Sequence, residues 1–354
     1  MKKTDFYFEL PPDRIAQFPP ETRGESRLML LDRSAEKIAH YRMNDLPQLI
    51  ESGALVVFND SRVRKARIFG TDEKTGKQRE FLLLSPHPVG DTGGKCWKVL
   101  TRGAKKVPAA PLGTTCFADG NTAVIWEDEG GGLLLSFSDP IDDQWLEKHG
   151  HIPLPPYIKR ADIEDDSARY QTVYARETGS AAAPTAGLHF SGELLGALKE
   201  KGVETAFITL HVGLGTFLPV RTEDIEDHKM HTESFFIDEE AAVQIERAKA
   251  EGRKIIAVGT TTARALESAW KDGSLMRGRG ETAIFIRGSY QFKVIDALFT
   301  NFHTPESTLL MLVAAFCAQN IDAERGRKLI LGAYKIAIEC GYRFFSYGDA
   351  MLVV

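Results

Sequence analysis

Gly53-Ala54-Leu55-Val56-Val57-Phe58 is an uninterrupted apolar run. A strand with one wet face alternates apolar and polar side chains, whereas a strand covered on both faces does not. The run therefore predicts a strand buried on both sides, and the rest of the chain must supply what covers it. From about Lys65 to Asp139 the texture changes to short β-rich pieces: Glu80 to Leu84, Cys96 to Thr101, Ala123 to Trp126 and Leu133 to Phe137. Gly93-Gly94, Asp119-Gly120 and Gly130-Gly131-Gly132 punctuate them. Closely spaced strands with little helix between them predict a small antiparallel barrel. Asp139-Pro140 has the form of a helix start, with an acidic N-cap and proline at the first helical position, and the helix is expected to stop at Gly150. Beyond Gly150 strands and helices alternate. Helices are expected at Ser191 to Gly202, Asp238 to Gly252, Thr260 to Lys271, Pro305 to Gln319 and Ala323 to Glu339. Strands are expected at Thr205 to Val212, Lys254 to Val258, Ala283 to Ile286 and Ala350 to Val354. This alternation predicts an α/β fold. Since Leu55 to Phe58 reads as part of the same sheet, we expect a discontinuous α/β catalytic domain with a mixed sheet over residues 1–64 and 150–354. A β-barrel domain, residues 65–149, is expected as an insertion into it.

The 354 residues suffice for two domains and a large core, and 43% hydrophobic with 26% charged residues describes a globular chain rather than a disordered one. A formal net charge of -5 excludes a uniformly basic nucleic-acid binder but not a local basic patch. Arg62, Arg64, Lys65 and Arg67 form one candidate patch, and Lys95, Lys98, Arg102, Lys105 and Lys106 another. Phosphate contact is weighed there against an ordinary solvated face. Met1-Lys2-Lys3-Thr4-Asp5 is not followed by an apolar run, so no secretory signal is expected. The longest apolar run, Leu309 to Cys317, is too short to span a bilayer. Cys96, Cys116, Cys317 and Cys340 are scattered, which argues against a disulfide framework or thiolate zinc site and for a reducing cytoplasm.

Familiar cofactor signatures fail. Gly213-Leu214-Gly215 follows a strand, but Leu218 occupies the third glycine position of a dinucleotide fingerprint. Gly76-Lys77 is followed by Gln78, which is wrong for a phosphate loop. What remains is a series of polar motifs. His149-Gly150-His151-Ile152-Pro153-Leu154-Pro155-Pro156-Tyr157 forces an extended path, read either as a rigid cleft wall or as a crossover between domains. Arg169-Tyr170-Gln171-Thr172-Val173-Tyr174 offers rings that could stack on a base and an amide that could read its edge, or else a half-buried strand. Ala181 to Gly187 gathers small residues and Pro184 ahead of His189, allowing close backbone approach to a ligand or close helix–sheet packing. His211 ends a strand beside a glycine-rich turn, where α/β folds bind ligands. His228, His231 and Glu233 could suit a metal ion, but they offer no thiolate, and proton transfer or a polar loop ranks above a metal. Gly259-Thr260-Thr261-Thr262 with Arg264 reads as a helix-start anion pocket or ordinary threonine capping. Asn301, His303 and Asp349 are candidate site members near the C-terminus.

Together these motifs resemble the ribosyltransferase-isomerase family of queuosine biosynthesis. The resemblance begins at Gln17-Phe18-Pro19 with Arg23 and Ser26-Arg27-Leu28, and continues through Asn59-Asp60-Ser61-Arg62-Val63. It includes each motif above and closes with Thr300 to His303 and Tyr342 to Met351. Two departures, Arg287-Gly288-Ser289-Tyr290 in place of a Pro-Gly-Tyr segment and Arg102-Gly103 in place of Arg-Pro, bear on loop shape and on contacts to tRNA. The resemblance implies transfer of the ribosyl group of S-adenosylmethionine to a 7-aminomethyl-7-deazaguanine base at the tRNA wobble position. The products would be epoxyqueuosine-tRNA, adenine and methionine. S-adenosylmethionine would be a co-substrate, with no resident cofactor and no metal, in a monomeric cytoplasmic enzyme. The chemistry asks for imidazoles, a carboxylate and positioning hydroxyls. On this basis His189, His211, His231 and Glu233 are expected to be catalytic. Thr185 and Thr216 are expected to position the sulfonium nucleoside, and Thr261 and Arg264 to hold the methionine carboxylate. Tyr170, Gln171 and Tyr174 are expected to contact the modified base. Asn59, Asp60, Arg62, His151, Tyr157, Arg169, Pro184, Gly187, Gly213, Gly215, His228, Thr260, Asn301, His303, Tyr347 and Asp349 complete the expected binding set. Rival expectations are a metal-dependent hydrolase using the histidine-rich loops and a non-catalytic tRNA-binding module.

Overall fold

A computed structural model describes residues 1–87, 94–101, 113–127, 132–213 and 220–354. In it every residue of the strand Leu55–Asn59 is buried. The strand lies between Glu204–Leu210 and Ile255–Val258 and is parallel to both. The two faces of the run have different partners. Leu55 and Val57 point into the core beneath helices Glu239–Ala250, Thr260–Ala269, Thr308–Cys317 and Ala323–Glu339. Val56 and Phe58 point into a second core with Leu194 and Leu198 of helix Gly192–Glu200. Each such side chain contributes about 1.5–3 kcal/mol when fully buried, which is why no polar residue interrupts the run.

Among the described residues the sheet has nine strands, in the order Gly278–Thr282, Glu233–Ile237, Glu204–Leu210, Leu55–Asn59, Ile255–Val258, Ala297–Asn301, Ala350–Val353, Arg27–Asp32, Lys37–Arg42. The third to sixth are mutually parallel. Ala350–Val353 runs antiparallel to Ala297–Asn301, so the sheet is mixed. The α/β architecture with a mixed sheet is therefore as expected.

The expected antiparallel barrel is also present. Its closed order is Leu133–Phe137, Cys96–Thr101, Gln78–Pro86, Arg67–Asp72, Thr114–Cys116, Thr122–Glu127. Alternate residues Phe81, Leu83, Trp97, Val99, Ile125 and Leu135 fill its interior. The barrel is tied to the proline segment by paired backbone bonds: Arg67 N–H donates to His151 O at 3.2 Å, and His151 N–H to Arg67 O at 2.7 Å. No helix among the described residues is long and apolar enough to cross a membrane.

Three local expectations are corrected. The helix expected from Asp139 is Asp143–His149, because the Asp142 carboxylate, not that of Asp139, accepts from Trp145 N–H at 2.8 Å. The Asp139 backbone is instead bonded to Asn121. The edge strand expected at Ala283 to Ile286 is Gly278–Thr282, paired in register with Glu233–Ile237. Past Thr282 side chains replace a partner strand: Ile284 N–H donates to Thr282 Oγ1, and Ile284 O accepts from Arg264. The helix expected from Pro305 begins at Thr308, where Ser307 caps Leu310 N–H at 3.2 Å. The Gly93-Gly94 turn lies partly, and Gly130 and Gly131 wholly, outside the described residues, as do Arg102, Gly103, Lys105 and Lys106.

Candidate active site

Parallel strands place their C-terminal ends on one edge of a sheet, and ligands of α/β folds bind there. Here Asn59, Leu210, Val258 and Asn301 end the four parallel strands on one edge. Ala350–Val353, running the other way, brings the preceding Phe345-Ser346-Tyr347 to the same edge. A cleft opens there, walled by Ala182 to Ala186, Gly259 to Thr261 and Thr300 to Thr304, with Tyr157, Phe345 and Ser346 across it. Among the described residues, none of those lining it is Asp, Glu, Lys or Arg.

Each wall has a local cause. Gly259 adopts φ 91°, a conformation that needs glycine, and turns the strand directly into helix Thr260–Ala269. That helix start has no side-chain cap, and its Gly259, Thr260 and Thr261 line the cleft. Phe345 is held at φ 72°, a strained state for an aromatic residue, by its N–H to Phe302 O at 3.0 Å and its carbonyl accepting from Gly348 N–H at 3.0 Å. The strain sets the Phe345 ring 4.6 Å from that of Tyr157, whose hydroxyl bonds to Ser346 Oγ at 2.6 Å. Burial pushes the Tyr157 phenol up to about 12, so it stays neutral.

Asn301 is the best-fixed group in the wall. Its amide Nδ2 donates to Phe345 O at 3.2 Å and to His189 Nε2 at 2.9 Å, and its Oδ1 accepts from Thr185 Oγ1 at 2.9 Å. The carbonyl of Phe345 can only accept, so the amide orientation is decided and His189 Nε2 must be an acceptor. His189 then carries its proton on Nδ1, facing Ser26 Oγ at 2.9 Å. His189 is thus 4% exposed, engaged at both nitrogens, and absent from the cleft wall. It stands behind the wall and bonds to Asn301. His303 does line the cleft, with Nε2 2.7 Å from Thr300 Oγ1.

Burial drives both imidazoles down to about 3. The folded chain therefore refuses protons that the unfolded chain takes up near pH 6.5. Stability is complete above that value and is lost as pH falls through it. We expect a loss of about 1 kcal/mol per histidine by pH 5.5. Urea midpoints at pH 7.5 and 5.5 check this, and equal midpoints would contradict it.

The other expected site residues divide into those near the cleft and those spent elsewhere. Pro184, Thr185, Thr260, Thr261 and Tyr157 line the cleft with Asn301 and His303. Asn59 stitches two strands, donating to Leu210 O at 2.9 Å and accepting from Leu210 N at 3.0 Å. Asp60 holds Arg176 and Thr209. The Gln171 amide pairs with the Val63 backbone at both ends, 3.0 and 2.8 Å, so it is not available to a base edge. Tyr170 is fully buried against Tyr347, and Tyr174 packs on Phe58 at 4.8 Å; neither ring is a stacking platform. The Tyr174 hydroxyl sits so close to Gly187 that a Cβ there would collide with it. Arg169 donates to the carbonyls of Pro20 and Glu21, Tyr347 to Asp166, and Asp349 accepts from the N–H groups of Arg27 and Arg343.

Glu233 and Arg264 form a buried ion pair, and Glu233 also accepts from Gly213 N–H at 3.0 Å. Neither lines the cleft, so Arg264 does not face a carboxylate there. His211 packs against Gly179, with Nδ1 buried and without a hydrogen-bond partner among the described residues. His151 pairs with Asp162 at 3.0 Å beside the barrel. His228 packs on Phe285 at 5.5 Å, while His231 and Arg62 are exposed. No three His, Cys, Asp or Glu side chains gather in a metal-holding arrangement among the described residues. Gly215 and Thr216 lie outside the described residues. Sequence reasoning missed Ser26, Thr300 and Ser346 as site-shaping residues; each sits inside a quoted motif, but only the fold reveals its partner.

The sequence profile of the queuosine biosynthesis proteins matches residues 3–353. The chain belongs to that family. Its family relatives include S-adenosylmethionine:tRNA ribosyltransferase-isomerases of Treponema denticola, 51% identical, and of Clostridioides difficile, 46% identical. Both alignments cover 100% of this chain and 100% of the relative. A solved Thermotoga maritima structure, titled as an S-adenosylmethionine tRNA ribosyltransferase, is 33% identical with a TM-score of 0.56, covering 99% of this chain and 100% of that one.

Proposed function

We propose that this chain is a transferase-isomerase of queuosine biosynthesis that moves the ribosyl group of S-adenosylmethionine onto 7-aminomethyl-7-deazaguanine at the tRNA wobble position. Epoxyqueuosine-tRNA, adenine and methionine are the products. The observation that carries the reading is the end-to-end match to relatives of that name, at 51% identity over both whole chains. The cleft at the strand ends suits the nucleoside. The uncapped start of Thr260–Ala269 takes the methionine carboxylate, in place of Arg264. The Tyr157 and Phe345 rings offer aromatic faces to the sulfonium. The described lining carries no charged side chain to compete with those interactions. Thr185, whose proton goes to Asn301, presents lone pairs to a ligand hydroxyl.

The test is incubation with S-adenosylmethionine and precursor-bearing tRNA, followed by nucleoside mass analysis. Adenine release that needs both substrates, with a matching mass gain on the tRNA, is the expected result. Methyl transfer, or cleavage without tRNA, would refute the reading. Chelator-sensitive hydrolysis would favour a metal-dependent hydrolase, and tRNA binding with S-adenosylmethionine intact would favour a binding module.

A further inference from the structure

His303 lines the cleft with one ring nitrogen committed and the other free. Nε2 lies 2.7 Å from Thr300 Oγ1, and its N–H backbone group donates to the Tyr334 hydroxyl at 2.8 Å. Nδ1 makes no hydrogen bond among the described residues and is not among the fully enclosed polar atoms. Which nitrogen carries the proton follows from Thr300. Thr300 is 1% exposed, and His303 is the one partner found for its hydroxyl among the described residues. If Nε2–H donated to Oγ1, the buried hydroxyl proton would have no acceptor, and an unmatched buried donor is costly. If the hydroxyl donates to Nε2, both groups are satisfied, and the ring proton sits on Nδ1. Burial keeps the ring neutral at physiological pH, holding its proton affinity down to about 3.

We propose that His303 is a fixed neutral donor, with Nδ1–H aimed into the cleft to bond an acceptor atom of the S-adenosyl nucleoside, and that Thr300 is the positioning residue that sets its tautomer. This rests on the function proposed above and assigns His303 a role distinct from proton abstraction. A neutral imidazole with its lone pair already engaged at Nε2 has no free basic site facing the substrate. It stabilises negative charge by hydrogen bonding, with no proton transferred.

Two measurements test this. Long-range 1H–15N correlation on histidine-labelled protein, with the His303 signals assigned by their loss in His303→Asn, reads the tautomer directly. A protonated Nδ1 and bare Nε2 are expected, with the preference lost in Thr300→Val. The opposite pattern in the unmodified chain overturns the proposal. Calorimetric titration with S-adenosylhomocysteine and turnover assays give the second. Asparagine places an amide N–H where Nδ1 stood, so His303→Asn should bind and turn over within a few-fold of the parent. His303→Leu should lose about tenfold in affinity. If the asparagine variant binds normally yet turns over as poorly as the leucine variant, His303 transfers a proton and the proposal fails. Failure of the parent chain to bind S-adenosylhomocysteine would count against the function reading, and the tautomer measurement would still stand alone.

Discussion

His189→Ala is expected to lower turnover by about 100-fold while leaving the KM for S-adenosylmethionine within a few-fold. The reason is geometric. His189 Nε2 is one of two acceptors that lock the Asn301 amide, and Asn301 in turn fixes the Thr185 hydroxyl in the cleft wall. Without the ring, Asn301 can rotate and Thr185 can redirect its proton, and a misplacement of about 1 Å is enough for a loss of that size. Glutamine separates this role from chemistry. Its side-chain carbonyl reaches the position of Nε2 and accepts from Asn301, so His189→Gln should recover to within about tenfold of the parent rate. A glutamine variant as inactive as the alanine variant, at equal folded fraction, would mean that His189 moves a proton and that the positioning account is wrong.

The second large effect is on stability. Glu233 and Arg264 are each about 4% exposed at the side chain and face one another in the core edge. Removing the carboxylate leaves the Arg264 guanidinium buried, so Glu233→Met is expected to cost about 3–5 kcal/mol. The Glu233→Met/Arg264→Met double variant should recover most of that, because two apolar side chains of similar size can replace a buried pair at little net cost. It should still fall short of the parent by about 1 kcal/mol, since Gly213 N–H loses its acceptor. Urea unfolding of the two singles and the double gives the coupling directly. A double variant no better than Glu233→Met would show that the pair is not the source of the loss.

The fold was legible where one local signal decided an element. Leu55 to Phe58 could only be a strand covered on both faces. Ser191 and Asp238 each open an expected helix that the structure caps with that very side chain. The hairpin Arg27–Asp32 and Lys37–Arg42 gave no such signal, because its place is set by parallel pairing with Ala350–Val353 at the far end of the chain. The site was legible at the level of motifs and much less so at the level of roles. Gln171, Tyr170 and Tyr174 read as base-contacting groups because their chemistry suits a base; whether they face outward depends on Val63, Tyr347 and Phe58, which are remote in sequence. His189 and His303 look alike in sequence, but one is shielded behind Asn301 and the other stands in the wall. A residue's chemistry is local, whereas its exposure is a property of the whole packing.

A crystal structure of the chain with S-adenosylhomocysteine would show which cleft holds the nucleoside. The account predicts the nucleoside between Thr185 and His303, with its carboxylate on the N–H groups that open helix Thr260–Ala269. Density for the ligand instead in the groove that Arg67, Glu80 and Leu100 of the barrel form with Pro153 to Pro156, with the strand-end cleft empty, would contradict it.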